Sequence, residues 1–301
     1  MVLLSREKQL ADALVKARRG DLESLETLLR RNSLFPGNRA NMLFADEVIA
    51  ATAGTPDDAL RIAKGLLAHH PGIAPGGTES EFLPMVGLLV AVGAVDRAPD
   101  VAVSARPSRN KKSAIDTNLQ LVIEWVHDAS DDMRFHVRDM SVLALCRLFH
   151  RHEAALWEAS TTFVDGYFPA ASFIRALGDR KTVDGLASFE GVKAVLEQSL
   201  QLLLNASRSD ERYPGYKELL GAVPGTWQIL ATRFGADVID TLLPAAKSKE
   251  PGLYDAALRV ALHTQIKSRF PEASKRIETV RNEAPRRIDP RNERLKKKPR
   301  R

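Results

Sequence analysis

The chain has 301 residues, 44% apolar and 27% charged, which is ample material for a core in one or two domains. The net charge of +6 is located almost wholly in residues 284–301, which hold nine Lys or Arg against two acids, while residues 1–283 balance to −1. The pI near 9.5 therefore belongs to the tail, and a whole-domain basic footprint, the usual first sign of a nucleic-acid-binding fold, is excluded.

The N-terminal MVLL reaches charged residues too soon to form the apolar region of a signal peptide. Leu22, Leu25, Leu28 and Leu29 then share one helix face, with Asp21 placed to cap it. Thr55-Pro56-Asp57-Asp58 reads as a helix start, with a capping threonine, a first-turn proline and acids at the positive end of the dipole. That helix carries Leu60, Ala63, Leu66 and Leu67 and stops at His69-His70-Pro71-Gly72. Thr78 begins the next, which contains the uncharged run Phe82–Val95. This run is short of the roughly 20 residues that span a bilayer, so it reads as a buried helix and implies no membrane partner.

Ser113 and Asp116 open a helix through Trp125, and Asp131-Asp132 open one that runs to about His150. Short helices follow at Glu153–Thr162 and Phe168–Leu177, and Thr182 caps a long segment that ends near Leu204. The remaining helical segments are 215–222, 225–234, 236–247, 252–267 and 271–283. Nowhere do more than four residues alternate strictly with β-branched side chains, so the fold class is all-α. Connections stand at 32–39, 96–114 and 205–214. The second of these carries Arg106, Arg109, Lys111 and Lys112, and its length marks it as functional or disordered. From Ala284 onward apolar periodicity ends and composition predicts disorder. The expected organisation is a helical repeat domain over 1–283 and a disordered basic tail over 284–301.

One helix pair has the form of a repeat. Residues 116–128 make its first helix, DASDD its turn and MRFHVRDMSVLALCRLF its second, with Val137, Met140, Ala144, Leu145 and Leu148 on one face. The pair resembles a HEAT repeat, whose second helix reads approximately Asp-x-x-x-x-Val-Arg with an Ala-Leu pair further on. A second copy, over 238–266, has Pro244 in the first helix and LYDAALRVALHTQI as the second, with Tyr254 where Arg138 would stand. Asp139 and Asp255 lie about three periods of ~39 residues apart. The stretch LFPGNRANMLFADEVIAA also resembles bacterial HEAT-like proteins to which no activity attaches. The resemblance implies an α-α superhelix of antiparallel helix pairs whose concave face binds a macromolecular partner.

Catalytic signatures are missing: there is no HExxH, GxSxG, P-loop or GxGxxG, and the sequence calls for no catalytic residue, metal or cofactor. Cys146 excludes an intrachain disulfide or a CxxC motif, and it reads as a small core residue in a reduced, cytoplasmic compartment. Asp128, Asp131 and Asp132 crowd one turn, where capping and pairing with Arg134 and Arg138 compete with a cation site. Arg134 and Arg138, four apart, are either repeat scaffolding or, with Arg106, Arg109, Lys111 and Lys112, a partner- or anion-binding patch. In the tail, Arg286, Arg287, Arg291, Arg294, Lys296, Lys297, Lys298, Arg300 and Arg301 suit sequence-independent, salt-sensitive binding to nucleic acid.

Two functional readings follow. The first is a non-enzymatic adaptor that binds a macromolecular partner, a protein, on its concave face. The second is a nucleic-acid-binding protein, similar in architecture alone to the HEAT-like DNA alkylation-repair family, from which no catalytic residue carries over.

Overall fold

The run from Phe82 to Val95 offers no charged side chain to water, so it is stable only if other elements wrap it on every side. In the computed structural model, which describes residues 5–37, 39–96 and 114–284, every residue of that run is buried. The described residues are helical and contain no strand, as the periodicity requires, and no helix among them is long and apolar enough to cross a membrane. The chain divides into two compact units, Met1–Thr162 and Phe163–Arg301. Most of the 96–114 connection and all but the first residue of the 284–301 tail lie outside the described residues.

Unit 1 contains α1 (Arg6–Ala17), α2 (Glu23–Arg31), α3 (Met42–Thr52), α4 (Pro56–Leu67), α5 (Phe82–Asp96), α6 (Ala114–Ser130) and α7, which runs from Phe135 and ends at Phe163. Helix α5 is the centre, packed by α2, α3, α4 and α6. Its closest neighbour is α4, and glycine makes that approach possible. A Cβ on Gly87 would stand 2.9 Å from Leu66 Cβ, 3.1 Å from the Ala63 carbonyl and 3.2 Å from the Leu67 amide. Leu22, not Asp21, stands at the cap position of α2, and Asp21 one residue earlier accepts a hydrogen bond from the Glu23 amide at 3.2 Å. Thr55 occupies its expected cap position, but its hydroxyl is buried and makes no bond. Pro56 and the acids Asp57 and Asp58 open α4 instead. The two expected helices 131–150 and 153–162 are both present within α7, separated by non-helical backbone at His152 (φ −125°, ψ 30°).

Unit 2 contains α8 (Tyr167–Leu177), α9 (Arg180–Gly185), α10 (Phe189–Leu204), α11 (Pro214–Phe234), α12 (Ala236–Asp240), α13 (Leu243–Lys247), α14 (Pro251–Ala261), α15 (Thr264–Arg269) and α16 (Pro271–Glu283). Its centre is α11, against which α8, α9, α10, α12, α14 and α15 pack. Trp227 is fully buried on α11 and donates its indole N–H to Thr241 Oγ1 at 2.8 Å. Sequence punctuation misleads here in both directions. Asp179, not Thr182, caps a short α9, and Ser188 starts α10 after an extended Leu186. Conversely, Pro224 does not divide 215–222 from 225–234, because α11 continues through it. The expected single helices 236–247 and 252–267 are each two, broken near Thr241 and His263.

Replacing Gly87 with Val drives a branched side chain into the α4 backbone. The expected loss is about 2–3 kcal/mol, read as a lower midpoint in chemical denaturation without a change in slope. His152 supplies a pH test. Burial lowers its pKa below the ordinary value of 6.5, against the opposing pull of Asp96 and the Val95 backbone. The unfolded chain then binds the proton more readily than the folded one, so stability falls as pH drops below about 6.5. The thermal midpoint of His152→Gln should decline less between pH 7.5 and pH 5.5 than that of the unaltered protein.

Candidate functional site

Three connections of unit 1 meet at one edge: 32–41 between α2 and α3, 68–81 between α4 and α5, and 131–134 between α6 and α7. Polar side chains tie them together. Arg134 is only 6% exposed. Its Nε and Nη2 fork onto Asp132 Oδ1 and Oδ2 at 2.9 and 2.6 Å, and its Nη1 donates to the carbonyls of His69 and Ala74 at 2.9 and 2.8 Å. Asp132 also accepts from the Arg134 amide at 2.7 Å, so one carboxylate opens α7 and holds the guanidinium. Arg138, equally buried, donates from Nη1 to the Asp132 carbonyl at 2.7 Å.

A second link joins the start of α7 to the short 3₁₀ turn Glu79–Glu81 that precedes α5. Glu81 has no exposed surface. Its Oε2 accepts from the Gly77 amide at 2.6 Å and from His136 Nδ1 at 3.1 Å, while Oε1 is buried without a partner. The His136 ring stands edge-on to Phe35, 4.9 Å between centroids, and 5.6 Å from Phe135. From α2, Arg30 reaches Ser80 Oγ at 3.3 Å and pairs with Glu26 at 2.8 Å. The three connections therefore form one braced surface rather than three independent turns.

That brace carries exposed apolar side chains. Leu34, Ile73, Met133 and Phe135 are 63%, 57%, 72% and 56% exposed. Each is next in sequence to a residue of the brace: Phe35, Ala74, Arg134 and His136. Leu34 is also held at φ 66°, a left-handed conformation that costs a branched residue roughly 1–2 kcal/mol. Four large apolar groups thus stand in solvent on the turns that this polar network ties together.

The structure brings Arg134 and Arg138 together at Asp132, inside the protein. Their guanidinium donors face carboxylate and carbonyl groups of this chain, so the pairing reading of the acidic turn accounts for them. Arg106, Arg109, Lys111 and Lys112 lie outside the described residues, as do Arg286, Arg287, Arg291, Arg294, Lys296, Lys297, Lys298, Arg300 and Arg301. Among the described residues no three His, Cys, Asp or Glu side chains gather as a metal site. Sequence reasoning missed the Glu81–His136 link and the apolar edge. Phe135 could have signalled the edge, because it is a large apolar residue off the Val137/Met140/Ala144 face, whereas Met133 shares the spacing of that face and gives no such signal. Comparison with known protein families, curated proteins and solved structures finds no match for this chain.

Arg134→Ala leaves the Asp132 carboxylate with only the backbone amide of residue 134 and two carbonyls without their side-chain donor, and the expected loss of stability is about 3–5 kcal/mol. Arg134→Lys keeps the charge but not the fork and should fall between. Thermal denaturation of the two variants measures both; equal stability of Arg134→Ala and the unaltered protein would show that the brace contributes nothing.

Proposed function

We propose that the protein is a non-enzymatic helical binding module that takes an apolar segment of a protein partner on the edge formed by Leu34, Ile73, Met133 and Phe135. One observation carries this reading: large apolar side chains stand in solvent on turns whose backbone is fixed from behind by buried hydrogen bonds. Water is displaced from such a surface when a partner covers it, and little backbone order is lost because the turns are already set. Phe and Met are also residue types enriched where protein interfaces bury surface. The Asp132–Arg134–Arg138 arrangement supports the HEAT-like, α-superhelical part of the reading, with the turn edge in addition to a concave face as the working surface.

A photoreactive amino acid at position 133 tests this in the full chain, with a second at Leu262, an exposed apolar residue of unit 2, as control. The reading expects position 133 to capture one defined protein, and Phe135→Asp or Leu34→Asp to weaken that capture by about 30-fold, a loss near 2 kcal/mol. Equal capture from positions 133 and 262, or capture indifferent to both substitutions, rejects it. Capture of a second copy of this chain would also reject it, since the edge would then be a self-association surface.

A further inference from the structure

Helix α11 is covered by neighbours on most sides, but Gly225, Gln228, Ile229 and Thr232 follow the i, i+3, i+4, i+7 spacing of a single helix face and remain open. They form the floor of a groove of about 790 Å³ in unit 2. Helix α9 lines it with Arg180, Val183 and Asp184, again on one face. Helix α15 and the residue before it line it with His263, Thr264, Ser268 and Arg269. Both flanking helices pack on α11, so the groove is a built feature of the unit. A Cβ added at Gly225 would meet nothing within 4 Å, so this part of the floor is clear.

The chemistry of the lining is one-sided. Arg180 and Arg269 come from different helices, and neither has an acidic partner among the described residues. Arg269 lies against the Phe270 ring, 5.4 Å from its centroid, which leaves the guanidinium edge free. His263 Nδ1 is buried without a hydrogen-bond partner. Against these stands one carboxylate, Asp184. Thr264 and Ser268 add hydroxyls, and Val183 and Ile229 add apolar surface.

We propose that this groove binds a small organic phosphate. Two unpaired guanidinium groups that line one groove from separate helices suit a dianion whose oxygens point in several directions. The volume falls in the range of small-molecule sites and far exceeds a bare phosphate ion, so the group comes attached to an organic body. Val183 and Ile229 contact that body, and Asp184 and Gln228 meet its hydroxyl or amino groups. This site is in the other unit from the apolar edge and does not depend on it.

Calorimetric titration of the full chain at low salt tests the proposal, with adenosine 5′-monophosphate and glucose 6-phosphate as probes, and adenosine and citrate as controls. At least one of the two phosphate esters should bind with a Kd below about 1 mM, and adenosine and citrate at least about tenfold more weakly. Arg180→Gln and Arg269→Gln should each weaken that binding about tenfold, and the double variant should abolish it. The side chains are exposed and unpaired, so thermal midpoints without ligand should not move. Arg208→Gln, outside the groove, should change nothing. The proposal is overturned if neither ester binds, if citrate or adenosine matches the esters, or if the double variant binds as well as the unaltered protein.

Discussion

A guanidinium group can enter a protein interior only when nearly all of its N–H donors are met, because an unpaired charge away from water is severely penalised. Arg134 satisfies that condition with groups from three places in unit 1: the Asp132 carboxylate beside it, and the carbonyls of His69 and Ala74 behind α4. Each bond also constrains the backbone that provides it. The turn that opens α7 and the turn that follows α4 are consequently fixed to each other through one side chain. The parallel link from Glu81 to Gly77 and His136 adds the start of α5 to the same assembly. The apolar edge depends on these bonds, since Ile73, Met133 and Phe135 are displayed by the backbone that they hold.

The two units reach a similar internal plan by different means. Unit 1 places at its centre a helix, α5, that carries no charge before its last residue, Asp96, so burial is satisfied all round and close approach is the remaining problem, solved by Gly87. Unit 2 centres on α11, whose composition is mixed. Trp227, Leu230 and Ala231 are buried, while Gly225, Gln228 and Thr232 stay toward solvent. A uniformly apolar central helix leaves no opening along its length, and the surface of interest in unit 1 is accordingly at the ends of helices, on the turns. A central helix with a polar face leaves a groove along its side. The kind of surface each unit offers, an apolar edge in one and a cationic groove in the other, follows from the make-up of its central helix.

Both surfaces are proposed as places that hold a ligand. Reaction chemistry needs groups aimed at a common point with their proton affinities moved toward the working pH. Among the described residues burial lowers the pKa of His152 and raises that of Tyr216, whose phenol is pushed further upward by Glu250 and Glu211, while the exposed Asp210 is lowered by hydrogen bonds from Ser207. His152 sits at a helix bend and Tyr216 in an aromatic cluster with Tyr167, so burial explains them without a reacting partner.

The all-helical class was legible from periodicity alone, as were the burial of Phe82–Val95 and the pairing of Asp132, in the acidic turn, with Arg134. These are local or nearly local matters, decided by which faces are apolar and by which donors lie within a turn of an acceptor. The bounds of α9, α10 and α11 were misread from Thr182 and Pro224, because a threonine can sit in a first turn that another residue caps and a proline can be carried within a well-packed helix. The braced edge and the groove could not be read in advance. Glu81 and His136 are 55 positions apart, and so are remote in sequence, as are Arg180 and Arg269. Sequence determined which segments coil and which of their sides must be hidden, since a helix face is set by residues three and four apart. Tertiary packing alone decided which exposed residues share a surface, because that depends on how distant helices stack, and spacing along the chain carries no record of it.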